Sequence, residues 1–94
     1  MIKKIPSIQN LANLKDHNGV VKVYAIIQDI QLKRNLVNLV LFDVRSTLKL
    51  SISQEFYQKN QTIFLVHQLV LFYLAVRSEN RKIQELKVEK VEVM

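Results

Sequence analysis

The sequence predicts an all-β domain, a five-stranded antiparallel Greek-key barrel with a short helix between the third and fourth strands. Five runs of β-branched, aliphatic and aromatic residues follow one another, and polar turns separate them. A short polar segment with helical character lies between the third and fourth runs. The 94 residues suffice for one compact core and leave no room for a second domain.

The first residues of the chain lie outside this pattern, so we divide the sequence into an N-terminal extension, residues 1–19, and a barrel, residues 20–94. Ser7 is a suitable cap for a short helix whose apolar residues have helical spacing, namely Ile8, Leu11, Ala12 and Leu14. The extension ends at the turn Asn18-Gly19, which contains the single glycine of the chain. A short packed helix and a linker are the two alternatives for this segment.

The first two runs form the first predicted hairpin. Residues 20–27 alternate between the two faces of a strand, and the pattern continues to Leu32. The turn Lys33-Arg34-Asn35 follows, and we expect Asn35 to adopt a left-handed conformation there. Residues 36–42 are almost entirely apolar, as in a strand covered on both faces or in contact with another molecule. The hairpin therefore has a positively charged tip.

The remaining runs complete the predicted barrel. Residues 47–53 alternate with period two, and residues 54–60 have the composition of one or two helical turns. Residues 69–77 are the most hydrophobic strand. In residues 82–93 the apolar positions change phase twice, which predicts bulges in the last strand. The predicted core consists of Val23, Ile27, Leu39, Leu41, Leu48, Leu50, Ile52, Phe72, Leu74, Val76, Leu86 and Val88.

This order of elements is typical of the oligonucleotide/oligosaccharide-binding (OB) fold. In residue type the chain also resembles the OB domain in the C-terminal part of the bacterial DNA polymerase III alpha subunit, especially in low-GC Gram-positive bacteria. The stretches that carry the resemblance are residues 21–27, 33–35, 39–43, 48–53, 56–57 and 71–77. The resemblance implies that the chain is part of that subunit or of another replication protein, with its neighbouring domains as partners.

Composition restricts the classes of partner and compartment. Fourteen Lys and Arg against eight Asp and Glu give a net charge of +6, which favours polyanionic partners. Without cysteine the chain has no disulfide or thiolate chemistry, as is typical of the reducing cytoplasm. The most apolar stretch, residues 62–76, is shorter than the roughly 20 residues of a membrane-spanning helix. We therefore predict a cytoplasmic protein without a membrane partner.

The sequence lacks motifs for catalysis and for cofactors. His17 and His67 are 50 positions apart, and Ser46, Ser51 and Ser53 lack the glycines of a nucleophile elbow. A single glycine also excludes a glycine-rich phosphate loop. We predict that this chain alone is not an enzyme and has no metal and no cofactor, and we leave open whether it is a domain of a DNA-directed DNA polymerase.

Binding of single-stranded nucleic acid is the function that the pattern favours. Such proteins combine cations along the backbone with aromatic side chains that stack on bases. The candidates lie on the first and third strands and on the two loops that flank an OB groove, and they are Lys22, Tyr24, Lys33, Arg34, Lys49, Ser51, Arg81 and Lys82. We expect weak, salt-sensitive binding of single-stranded DNA with little sequence preference.

Two other functions fit the same fold. The apolar second strand favours a barrel that docks onto other proteins or dimerises without significant nucleic-acid binding. A large exposed apolar patch would support this alternative. A tRNA anticodon-binding barrel is the other alternative, and it would prefer aromatic residues on the second and third strands. The third strand has none.

Overall fold

The computed structural model describes residues 11–93 of the chain. These residues form a five-stranded antiparallel sheet that curls into a half-barrel. The strands and the α-helix are, in chain order, β1 (Gly19–Leu32), β2 (Leu36–Phe42), β3 (Thr47–Ser53), α1 (Gln54–Lys59), β4 (Leu69–Glu79) and β5 (Lys82–Val93). The predicted all-β, OB-like fold with a helix between the third and fourth strands is confirmed.

β1 is the central strand of the sheet, whose order is β3-β2-β1-β4-β5. Its first half pairs with β4 and its second half with β2, and both neighbours meet it at Ile26. A register shift between Ile27 and Asp29 leaves Gln28 as the extra residue of a bulge. Because a bulge bends a strand and increases its twist, one long strand can serve both halves of the curled sheet.

The two edge strands, β3 and β5, leave the half-barrel partly open. They approach each other where Ile52 and Val88 line a common cleft, but they are not neighbours in the hydrogen-bonded order of the sheet. β5 has the two register shifts that its apolar pattern predicts, one at Gln84 and one at Glu89. These bulges keep the apolar residues of β5 facing inward as the strand curves along β4.

Inward side chains from all five strands form the hydrophobic core. Among the predicted core residues, Leu48 and Leu86 are half-buried and pack against the core, and the others are buried. The core also contains residues outside the predicted list, namely Leu11, Leu14, Ala25, Val37, Phe64, Val70 and Val91. Leu14 and Phe64 lie outside the strands, so the alternation that identifies inward strand positions cannot identify them.

A 3-10 helix, Leu11–Asp16, precedes the sheet and buries Leu11 and Leu14. It is tied to β4, because the hydroxyl of Ser78 donates to the backbone carbonyl of Lys15, and the backbone N–H of Ser78 donates to Oδ1 of Asn18, just after the helix, at 2.8 Å. Ser7 and Ile8, where the predicted helix starts, lie outside the described residues.

Aromatic side chains cover the core beside α1. Phe64, in the segment that leads to β4, is almost fully buried. The rings of Phe56 and Tyr57, both on α1, lie with their centroids 5.9 Å from that of Phe64. The short helix is therefore attached to the sheet mainly by its two aromatic residues.

The turn between β1 and β2 differs from the prediction at Asn35. Within residues 11–93 the left-handed φ values belong to other residues, namely Gly19, His67, Asn80 and Arg81. The side-chain amide of Gln54 donates to the carbonyl oxygens of Lys33 and Arg34, both at 2.8 Å. The expectation of a left-handed Asn35 was therefore wrong, and the side chain of Gln54 holds the turn from outside.

Candidate nucleic-acid interface

The outer face of β1, β2 and β3 carries a shallow groove. Cross-strand pairing places Gln31, Asn38 and Ser51 in one row, and Val40 and Lys49 in the next. We call the groove lined by these five residues, together with Leu39 and Leu50, the β2–β3 groove, and its volume is about 330 Å³. Two of the predicted site residues, Lys49 and Ser51, thus lie in one groove.

The floor of the β2–β3 groove offers both hydrogen-bond donors and acceptors. Ser51 Oγ donates to Oδ1 of Asn38 at 2.7 Å, which leaves the NH2 group of Asn38 as a donor. Gln31 Nε2 donates to Oδ2 of Asp29 at 3.2 Å, which leaves the side-chain carbonyl of Gln31 as an acceptor. Such a floor can bond to phosphate oxygens, to sugar hydroxyls or to the edges of bases.

Three cations lie in or next to the β2–β3 groove: Lys49 lines it, and Lys33 and Arg34 belong to the tip that follows the row of Gln31 and Asn38. All three side chains are exposed. The ion pairs within residues 11–93 involve other cations, at positions 59, 77, 81 and 90. Lys33, Arg34 and Lys49 make no ion pair in the described part of the chain, and the exposed carboxylate of Asp29 lies in the same cross-strand row as Val40 and Lys49.

Lys22 and Tyr24 lie on a different part of the outer surface, above β1, β4 and β5. Lys22 pairs across the sheet with Tyr73, which pairs with Lys90. The ammonium groups of the two lysines lie 5.2 and 5.3 Å from the centroid of the Tyr73 ring, within the range of cation–π attraction. Tyr24 is half-buried. The row that contains Ile26 separates this cluster from the β2–β3 groove.

The same cluster contains a carboxylate. Lys90 Nζ lies 2.8 Å from Oε1 of Glu92, and the hydroxyl of Tyr73 donates to that oxygen at 3.4 Å. The hydrogen bond from Lys90 holds the pKa of Glu92 below its ordinary value. The negative charge of Glu92 reduces the attraction of this cluster for an anion, so it is a weaker candidate site than the β2–β3 groove.

Arg81 and Lys82 lie at the hairpin of β4 and β5, beside the beginning of β1, whereas Lys33 and Arg34 follow its end. Arg81 Nε lies 3.2 Å from Oδ1 of Asp16, so its charge is partly compensated. Lys82 is exposed. The structure thus brings Lys49 and Ser51 together in one groove, with Lys33 and Arg34 on the adjoining tip, and it places the other four predicted site residues elsewhere on the surface.

Sequence analysis missed three features of this surface. Asn38 interrupts an apolar strand, which indicates a polar outer position, but its bond to Ser51 depends on the register of β2 and β3. Gln31 joins the same row through the pairing of β1 and β2. Ile26, Phe42 and Leu69 form an exposed row across β2, β1 and β4, and their side chains are 37%, 37% and 41% exposed.

The described residues contain neither a metal site nor a membrane-spanning helix. Within residues 11–93 no group of three or more His, Asp or Glu side chains is placed to hold a metal ion. The helices of this part of the chain are all too short and too polar to cross a membrane.

Comparison of the sequence with models of known protein families and with curated proteins gives no match. These comparisons assign the chain to no family. Its strand order and curvature are those of an OB-like fold.

Proposed function

We propose that the chain is a single-stranded nucleic-acid-binding module that holds DNA in the β2–β3 groove. The observation that supports this proposal is a groove that contains Lys49 and the amide and hydroxyl groups of Gln31, Asn38 and Ser51, next to a tip with two more cations. These three cations, Lys33, Arg34 and Lys49, are exposed and make no ion pair in residues 11–93. Single-stranded nucleic acid presents phosphates at regular intervals together with base and sugar edges. The groove offers charge to the phosphates and amide and hydroxyl groups to those edges.

The floor of the groove predicts the strength of binding. No aromatic residue lines the β2–β3 groove, and base stacking contributes about 1 to 3 kcal/mol per base in proteins that use it. Phosphate contacts therefore dominate, so we expect micromolar or weaker affinity and little sequence preference. Lys22, Tyr24, Arg81 and Lys82 lie outside the groove and act as peripheral contacts for longer strands.

The resemblance to the OB domain of the DNA polymerase III alpha subunit supports a role in DNA replication. We propose that the chain is a domain of such a subunit or of another cytoplasmic replication protein. In that setting its neighbouring domains hold the DNA firmly, and this module adds a weak, non-specific contact to the single strand. Weak contacts of this kind add to the overall affinity because linked sites act at high effective concentration.

A titration of labelled single-stranded oligonucleotides at two salt concentrations tests the proposal. Release of counterions predicts that affinity falls steeply between the low and the high salt concentration. Affinity that is absent at low salt, or that does not change with salt, contradicts the proposal. Double-stranded DNA of the same length serves as the control for a preference for single strands.

A second function, docking onto another protein, is favoured by the exposed row of Ile26, Phe42 and Leu69. These three residues are direct neighbours across three strands, so they form one continuous apolar surface. Exposed apolar patches on soluble proteins often mark interaction sites. Failure to bind any oligonucleotide at low salt would favour this function over nucleic-acid binding.

A further inference from the structure

A second cavity lies on the opposite side of the tip that carries Lys33 and Arg34. It is an open pocket of about 220 Å³ between the end of β1 and helix α1, lined by Leu32, Val37, Gln54, Tyr57, Gln58 and Gln61. We call it the α1 pocket. Gln31 lines the β2–β3 groove and the next residue, Leu32, lines the α1 pocket. The basic tip therefore stands between the two cavities.

We propose that the α1 pocket receives one unpaired nucleobase of a single strand whose phosphates contact Lys33 and Arg34. This inference rests on the proposed function. The size of the pocket fits this occupant, because pockets for drug-sized ligands begin at about 300 Å³ and this one is smaller. A single planar ring is the part of a nucleic acid that such a volume admits.

The lining of the α1 pocket combines apolar, aromatic and amide side chains, a combination suited to a nucleobase. Leu32 is 67% exposed, so it can offer an apolar surface to one face of a ring. Tyr57 stacks one face of its own ring on Phe64, with an interplanar angle of 20°, which fixes its orientation. An aliphatic and an aromatic wall at one pocket are suited to a flat, partly apolar group.

Three glutamine amides supply polar groups at the same place. The NH2 group of Gln54 donates to the carbonyls of Lys33 and Arg34, so its Oε1 is left as an acceptor. Gln58 and Gln61 are exposed, and their side chains make no hydrogen bond to another residue in the part of the chain that the structure describes. An amide presents a donor beside an acceptor, which complements the hydrogen-bonding edge of an unpaired base.

The pocket and the basic tip are mechanically linked. Because Gln54 bonds to the backbone of the tip and also lines the pocket, the backbone that carries Lys33 and Arg34 is held next to the pocket. A phosphate at the tip would therefore place its own nucleotide near the pocket mouth. The other side of the tip leads into the β2–β3 groove, where the rest of the strand would lie.

The test compares a single-stranded oligonucleotide with a fully abasic oligomer of the same length and charge. Both are titrated against the whole chain and against the variants Leu32→Ser and Gln58→Ala. The control is Val44→Ser, which changes an apolar residue that is 92% exposed in the turn between β2 and β3. Thermal unfolding of each variant verifies that it is folded.

We expect the whole chain to bind the base-bearing oligomer about fivefold or more tightly than the abasic one, the effect of at least one stacked base. Leu32→Ser and Gln58→Ala should each reduce this ratio toward one while binding of the abasic oligomer stays unchanged. Val44→Ser should keep the original ratio.

An unchanged ratio in both pocket variants, or no preference for bases in the original chain, overturns the inference and leaves phosphate binding intact. If neither oligomer binds at low salt, the proposed function itself fails.

Discussion

The backbone N–H of Leu11 donates to Oδ2 of Asp43 across 32 residues of sequence, at 2.7 Å. This bond joins the start of the 3-10 helix to the turn between β2 and β3. The other carboxylate oxygen of Asp43 accepts from the backbone N–H groups of Arg45 and Ser46, at 3.0 and 2.9 Å. One carboxylate therefore holds both the turn and the chain segment that buries Leu11 and Leu14.

The first prediction concerns the pH dependence of this carboxylate. Burial raises the pKa of Asp43, but the hydrogen bonds from Leu11, Arg45 and Ser46 outweigh burial and hold the pKa below its ordinary value of 3.8. A lowered pKa in the folded state means that the stabilisation is complete above the ordinary pKa and is lost as the pH falls through the folded one. Asp43→Ala should reduce the free energy of unfolding at pH 7 by about 1 to 3 kcal/mol.

Urea unfolding of the original chain and of Asp43→Ala, at pH 7 and at several values below pH 3.8, measures this difference. The two proteins should converge as the pH falls. Asp29→Ala is the matched control, because the carboxylate of Asp29 is exposed and, within residues 11–93, its hydrogen bonds are to Ile30 and Gln31. If the two free energies of unfolding still differ at the lowest pH, the stabilisation by Asp43 does not depend on its charge.

The second prediction concerns Leu50, on the inward face of β3. Its side chain is 9% exposed and belongs to the core. Leu50→Ala should reduce the free energy of unfolding by about 2 to 5 kcal/mol, because it removes buried methyl groups and leaves a cavity. Val44→Ala, at a position 92% exposed, should change it by less than about 0.5 kcal/mol. Equal effects of the two substitutions in urea unfolding would contradict the assignment of β3 to the core.

Local patterns explain why much of the fold was predictable. The alternation of Leu48, Leu50 and Ile52 identifies the inward face of β3, since a strand has a period of two. The phase changes in β5 correspond to physical insertions, at Gln84 and Glu89. Such signals need only residues that are adjacent in sequence.

The candidate site was less predictable because it depends on register and on long-range contacts. Asn38 and Ser51 become partners only when β2 and β3 pair in one register. Gln54 reaches a turn 20 residues earlier in the chain, and nothing in the sequence near the turn indicates it. Lys22 and Lys49 both occupy outward positions, but the bulge of β1 and the curl of the sheet place them on different parts of the surface.

The third prediction concerns the turn between β4 and β5. Asn80 and Arg81 have φ values of 53° and 61°, as in the type I′ turn, where the second position favours glycine. Arg81 is held in this costly conformation while its guanidinium pairs with Asp16. Arg81→Ala and Arg81→Gly both lose the ion pair, but only glycine relieves the backbone. Arg81→Gly should be more stable than Arg81→Ala by about 1 kcal/mol, measured by urea unfolding.

The same two variants separate backbone effects from effects on binding. If Arg81 is a peripheral contact for DNA, both variants lose that contact and should bind an oligonucleotide equally. Different affinities for the two variants would mean that the conformation of the turn, and not the charge of Arg81, affects binding. Equal stability of the two variants would contradict a strained backbone at this position.

The fourth prediction concerns Tyr24, which is half-buried and pairs across the sheet with the buried Leu71. Tyr24→Ala should reduce the free energy of unfolding by about 1 to 2 kcal/mol, less than for a fully buried aromatic residue. Because the row of Ile26 separates Tyr24 from the β2–β3 groove, affinity for an oligonucleotide should change less than about twofold. A loss of about fivefold or more would instead correspond to a stacked base. Thermal unfolding and fluorescence anisotropy on this variant measure both quantities.

The last prediction concerns the basic tip. Replacing Lys33 and Arg34 together with Ala removes two of the three cations in or next to the β2–β3 groove, and the exposed tip keeps its backbone bonds to Gln54. Each phosphate contact with a single strand contributes about 0.7 to the slope of log affinity against log salt concentration. The double variant should therefore bind all sequences more weakly and lose about 1.4 from that slope.

The control is the double variant Arg77→Ala and Lys87→Ala, which removes the same net charge from β4 and β5. If both double variants change the slope equally, the net charge of the chain attracts DNA and the groove does not; if only the tip variant changes it, the phosphates lie beside Lys33 and Arg34.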